Sequence, residues 1–138
     1  MKDDNNSKPA APRKRKDSRK EKGGAGEQAA VQYLKQQGYN IMNTNWRCKS
    51  GELDIIAQKG ETTIFAEVRS RTSLDRFGTH LESVNPRKIA QVRRTAAVYI
   101  QERKLYNSLI RFDVIGVLLN PADWTEEPLH IDHIMNAF

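Results

Sequence analysis

Residues Gly51–Arg71, GELDIIAQKGETTIFAEVRSR, read as two short strands joined by a tight turn. Leu53, Ile55 and Ala57 alternate with Glu52, Asp54 and Ile56; Ile64, Ala66 and Val68 alternate with Phe65, Glu67 and Arg69. A period of two puts each set on its own face of a sheet. Lys59-Gly60 supplies a two-residue turn, because Gly tolerates the positive φ that such turns require. That turn sets Gln58 opposite Glu61, Asp54 opposite Phe65 and Glu52 opposite Glu67, and Asp54, Glu67 and Arg69 then project from one side. Crowded like charges repel. A divalent cation with oxygen ligands relieves them; a solvated polar face on which Arg69 pairs the acids does so too, and the hairpin pattern alone favours that plainer reading and leaves the rest of the chain to decide.

Upstream, EQAAVQYLKQQG (residues 27–38) repeats apolar Ala30, Val31 and Leu34 at helical spacing. Gly23–Gly26 is expected to lead into this helix and Gly38 to stop it. Glu27 falls in the first turn, beside the buried face, where an acid also complements the helix dipole. Tyr39–Lys49 reads as a strand bent around Asn43–Asn45. Downstream of the hairpin, a polar and mobile loop is expected over residues 72–84. Asn85-Pro86 then opens a second helix, with Asn as N-cap and Pro at the first turn. Its apolar stripe is Ile89, Val92, Ala96, Tyr99 and Ile100; Arg87, Lys88, Arg93 and Arg94 lie mostly off it. Four cations without an acid suit an anionic partner or simply a solvated helix surface. Arg111–Leu119 reads as a strand covered on both faces, and Leu129–Met135 as an edge strand. The order αβββαββ describes one α/β domain over residues 23–138, a mixed β-sheet flanked by helices.

Charge is concentrated at one end. Residues 1–22 carry nine of the 23 Lys/Arg and four of the 17 Asp/Glu, so most of the net +6 belongs to this segment. With almost no apolar side chains it cannot offset the entropy of ordering, and residues 1–22 are expected to be a disordered basic tail. The tail lacks the apolar core of a secretory signal, and no apolar run elsewhere is long enough for a membrane span. The single Cys48 permits no internal disulfide, consistent with a cytoplasmic protein. His130 and His133, three apart on a strand, fall on opposite faces and do not make a metal site. Gly-rich phosphate loops, a dinucleotide fingerprint and a nucleophile elbow are all absent from the sequence.

An acid on the first helix, acids on two successive strands and a cation two residues after the last one form a pattern, E…D…E-x-cation. With this element order it resembles the restriction-endonuclease-like nuclease superfamily. More narrowly, the chain resembles the YraN family of bacterial proteins, distant relatives of archaeal Holliday junction resolvases. The resemblance is carried by Gly26–Ala30, Tyr33-Leu34, Gly38-Tyr39, Asn45–Arg47, Gly51–Ala57, Phe65–Arg71, Lys88 and Arg111–Val114, and spans roughly residues 24–119. It implies metal-dependent hydrolysis of nucleic-acid phosphodiesters. Asp54, Glu67 and the Val68 carbonyl would hold Mg²⁺ or Mn²⁺, Glu27 would orient water, and Arg71, Lys88 and Arg93 would contact the nucleic acid. DNA, in structured or branched form, is implied ahead of RNA, and the resolvase analogy further implies a homodimer.

In the family pattern the cation after the second acid is Lys; here it is Arg69. Arginine stabilises charge and clamps phosphate, but it does not readily lose a proton to act as a base. Glu27, Asp54, Glu67 and Arg69 are therefore the expected catalytic set of an endonuclease. The alternatives are a catalytically impaired nucleic-acid-binding module and a protein-interaction domain. The near-neutral charge of residues 23–138 favours the last of these.

Overall fold

A computed structural model describes residues 15–72 and 84–138, with side chains from Lys20 onward. The chain runs α1 (Arg15–Gln36), β1 (Asn40–Cys48), β2 (Gly51–Lys59), β3 (Thr62–Thr72), α2 (Pro86–Arg103), β4 (Leu109–Leu119) and β5 (His130–Ile134). This is the expected αβββαββ order. The five strands form one sheet in the order β1-β2-β3-β4-β5. Only β3 and β4 pair in parallel, across the α2 crossover, so the sheet is mixed and β5 is indeed an edge. Among the described residues, no helix is long and apolar enough to cross a membrane.

The two helices cover opposite faces. Ala30 and Leu34 of α1 pack with Ile55, Ala57, Ile64, Ala66, Ile115, Val117 and Leu119. Val92, Ala96 and Tyr99 of α2 pack with Leu53, Ile56, Phe65 and Phe112. Adjacent residues such as Ile64 and Phe65 thus serve different cores, as period-two alternation requires. In β2 the alternation breaks. Leu53 and Ile56, three apart, lie on the same side, and Asp54 sits between them.

The hairpin turn differs from expectation. Lys59 pairs with Thr62 and Gln58 with Thr63, so the loop is Gly60-Glu61, not Lys59-Gly60. Gly60 has φ +62, and a positive φ at the first loop position is what Gly supplies most cheaply. The pairing therefore slips by two residues from the expected register. A slip of two preserves faces, whereas a slip of one would have inverted them. Asp54 and Glu67 lie just past the last observed pair, Ile55 with Ala66, and Asp54 does not pair with Phe65.

Helix α1 starts at Arg15, twelve residues before the expected start at Glu27, and Gly23–Gly26 lie inside it. Six of residues 15–22 are Lys, Arg or Glu, which are good helix formers, and α1 runs on from them through Gly23, Gly24 and Gly26. Residues 1–14 of the expected tail and most of the expected loop, residues 73–83, lie outside the described residues. Gly26 acts as a spacer rather than a breaker. It is buried where α1 crosses β3, and a Cβ there would collide with the Ser70 side chain. Helix α2 begins as its sequence predicts: Lys88 N–H donates to Asn85 Oδ1 at 2.9 Å, and Pro86 occupies the first turn. Lys104 in the left-handed region ends it.

Candidate active site

The backbone pairing of β2 with β3 runs from Lys59–Thr62 to Ile55–Ala66 and stops. Beyond that point the Asp54 carboxylate substitutes for the ladder, its Oδ2 accepting from the Val68 N–H at 2.9 Å. The carboxylate is thereby fixed at the parting of two strands, with α1 on one side and α2 on the other. Glu67, one residue before Val68, has a side chain only 2% exposed. From α2, the Lys88 ammonium reaches within 3.4 Å of Glu67 Oε1, placed there by the Asn85 cap that fixes the first turn.

Electrostatics at this point are strained. Burial pushes the Glu67 carboxyl up to about 7, the Asp54 charge adds to the rise, and Lys88 and Arg69 oppose it. Burial also raises Asp54, against the Val68 N–H, Lys88 and Arg69. Glu27 is raised by its own burial and then by Asp54, while a hydrogen bond from the Asn45 side chain pulls the other way. Asn45 has φ 49, in the left-handed region that Asn tolerates, inside the bend expected in β1. The structure thus brings Glu27, Asp54, Glu67 and Arg69 into electrostatic contact from three elements. Nε of Arg69 is buried with no hydrogen-bond partner among the described residues.

The expected nucleic-acid contacts separate. Lys88 belongs to the carboxylate centre. Arg71 lies two residues beyond Arg69 on β3, half-buried. Arg93 does not reach the acids; its guanidinium stacks over the Phe112 ring, 4.8 Å from the centroid. A half-buried carboxylate, Asp54, and a buried one, Glu67, offer the oxygen donors that a hard divalent cation takes, with water in its remaining positions. Among the described residues no third His, Cys, Asp or Glu completes a group of three metal donors.

A second buried cluster was not expected from sequence. Asp113, fully buried on β4, accepts from Arg111 Nε and Nη2 at 2.9 and 2.8 Å and from the Asn136 N–H at 3.0 Å. His133 Nε2 lies 2.7 Å from Asp113 Oδ2, and its Nδ1 lies 2.9 Å from the Tyr33 hydroxyl. Arg111 also donates to the Tyr39 hydroxyl at 2.7 Å. These contacts hold the Asp113 carboxyl below its usual range despite burial. They tie α1, β4 and β5 together, and an acid inside the apolar run FDVIGVLL was its one visible signal.

Comparison with known proteins gives a consistent picture. The model of the family described as "Uncharacterised protein family UPF0102" matches residues 26–117. A UPF0102 protein of Caldicellulosiruptor saccharolyticus is 42% identical over 121 residues, covering 88% of this chain and 99% of the relative. One of Clostridium acetobutylicum is 45% identical, covering 86% of this chain and 94% of its own. A third, of Caldanaerobacter subterraneus, is 40% identical and covers 90% and 99%. The matched span contains Glu27, Asp54, Glu67, Lys88 and Asp113.

Proposed function

The chain belongs to the uncharacterised protein family UPF0102, and from the Asp54 and Glu67 carboxylates and the cations around them we propose that it is a metal-dependent nuclease acting on structured or branched DNA. The observation that carries this reading is the Asp54–Glu67 pair. Two acids are held side by side at a strand fork, one of them raised to about 7, with two cations beside them. Such an arrangement costs stability, and perturbed titratable groups cluster at functional sites.

Asp54, Glu67 and the Val68 carbonyl would hold Mg²⁺ or Mn²⁺, which when bound polarises a phosphoryl oxygen and lowers the pKa of a water. The remaining roles fall to the chain's own side chains. Lys88, 30% exposed and 3.4 Å from Glu67 Oε1, presents N–H donors to a phosphate oxygen. Arg69 contributes fixed positive charge near Asp54 and Glu67, where a phosphorane would gather negative charge. Glu27 accepts a hydrogen bond from water on the α1 side, its carboxyl poised by burial. Arg71 contacts the backbone of the nucleic acid farther along β3. A homodimer suits a substrate with two related strands to cut.

One observation favours a second reading. Arg69, with its buried and unpartnered Nε, stands where a titrating amine would activate water, and a binding module without turnover is compatible with it. The test is cleavage of labelled linear, flapped and four-way-junction DNA with Mg²⁺ or Mn²⁺ by wild type, Asp54→Ala and Arg69→Lys. Metal-dependent cutting that Asp54→Ala abolishes supports the enzyme. Cutting by Arg69→Lys alone supports the binding module. Silence from all three, with no salt-sensitive DNA retention, rejects both and leaves a protein-interaction domain.

A further inference from the structure

On the flank of α1 away from Glu27, a groove of about 1090 Å³ lies between the helix and residues 119–131. Two rows of side chains run along its helical wall. Ala25, Ala29 and Tyr33, four apart, are half-buried against the α1-side core. Gln28, Gln32 and Gln36, also four apart, form the outer row and are exposed. The opposite wall carries Trp124 and Ile131, both packed against the same core. The acids of the lining are Glu21 on the helix and Asp123, Glu126 and Glu127 on the loop. Among the described lining residues there is no Lys, Arg or His.

Both walls are held in place. The Tyr33 hydroxyl lies 2.9 Å from His133 Nδ1. In the loop, Asp123 Oδ1 accepts from the Thr125 N–H and hydroxyl at 2.9 and 2.6 Å, and Glu126 Oε1 from the Asn120 amide at 3.1 Å. Residues four apart on a helix rise about 6 Å, and alternate residues of an extended chain repeat at about 6.6 Å. Successive glutamines therefore meet every second peptide group of an extended segment, each offering N–H donors and a carbonyl to its backbone. From Glu21 to Gln36 the helix rises about 22 Å, the span of about seven extended residues. In such a segment every second side chain points at the alanines and Trp124, and the others point away from that floor, within reach of the exposed acids. A phosphate backbone would be repelled by the same four acids, so the charge favours a cationic peptide over a nucleic acid.

We propose that this groove binds an extended cationic segment of a partner protein. The apolar side chains of the segment sit on Ala25, Ala29 and Trp124, its backbone pairs with Gln28, Gln32 and Gln36, and its lysines or arginines face Glu126 and Glu127. The inference is independent of the nuclease reading, since none of the groove residues belongs to the carboxylate centre.

The experiment titrates full-length protein into a fluorescein-labelled heptapeptide of alternating lysine and leucine and reads anisotropy at low salt. The expected result is saturable binding, absent for the same peptide with glutamate in place of lysine. Glu126→Lys/Glu127→Lys and Gln28→Ala/Gln32→Ala are each expected to weaken it about tenfold, and Asp54→Ala to leave it unchanged. In ¹⁵N-labelled protein the peptide should shift the indole N–H resonance of Trp124. That of Trp46, which packs against Tyr99 on the opposite face of the sheet, should stay in place. An unshifted Trp46 resonance in the variants shows that they remain folded. No saturable binding, binding that both groove variants retain in full, binding that Asp54→Ala abolishes, or a complex in which Trp124 does not move overturns the proposal. Sedimentation of the protein alone is expected to be the same for wild type and Glu126→Lys/Glu127→Lys. A self-association that this variant abolishes assigns the groove to a second copy and overturns the partner reading.

Discussion

Replacing Glu67 by Gln removes a charge that the fold accommodates poorly. Its carboxyl has moved from the usual 4.5 to about 7, with burial as the main cause and Asp54 as the second. Between those two pH values the folded state keeps a proton that the unfolded chain has released. Stability from this source is fully present below about 4.5, declines as pH rises through 7, and is flat above that. The full span corresponds to about 3 kcal/mol, and the side chain is too buried for solvent to screen it away. Gln is isosteric and neutral at every pH, and Lys88, partly exposed, can turn to water when its partner is gone. Glu67→Gln is therefore expected to exceed wild type by about 1 kcal/mol at pH 5 and by about 3 kcal/mol at pH 8. In melting temperature that is on the order of 10 °C for a domain of this size. The assay is urea and thermal unfolding by circular dichroism at half-unit steps from pH 4.5 to 8.5, with a chelator present. Parallel stability curves for the two proteins would refute the reasoning, because they would mean that Glu67 is ionised in the native state as easily as in the unfolded chain.

Three further outcomes follow from the same structure. Asp113→Ala leaves Arg111 and His133 without their buried partner and is expected to cost about 3–5 kcal/mol, read as a shift of the urea midpoint at constant slope. Gly26→Ala drives a methyl into Ser70 and is expected to cost about 1–3 kcal/mol, a penalty that Ser70→Gly in the same chain should largely remove in a double-mutant cycle. Asn85→Ala deletes the acceptor for the Lys88 N–H; about 1 kcal/mol of stability should be lost, and hydrogen exchange should quicken in the first turn of α2 while its last turn stays protected.

Local chemistry made much of the fold legible. Alternation over residues 51–71 placed Asp54 and Glu67 on one side; the turn was misplaced by one residue and the pairing moved by two, and the two acids come into electrostatic contact at a point where the alternation of β2 breaks. Asn85-Pro86 marked the start of α2 for a reason wholly contained in four consecutive residues. The α1 start was misjudged because burial was weighed over residues 1–22 without the helix that continues into them from residue 27 onward.

What the sequence by itself determined is therefore what depends on neighbours along the chain: element order, faces, caps and the existence of an acidic hairpin. Tertiary structure decided what depends on neighbours in space. It put Lys88 of α2 against Glu67 of β3, stopped the β2–β3 ladder so that Asp54 could take the Val68 N–H, and built the Asp113–His133–Tyr33 chain from residues up to 100 positions apart. Periodicity and capping are short-ranged and readable one segment at a time. The pKa of a buried carboxylate is set by desolvation and by charges brought from other elements, and those exist only once the helices have closed on the sheet.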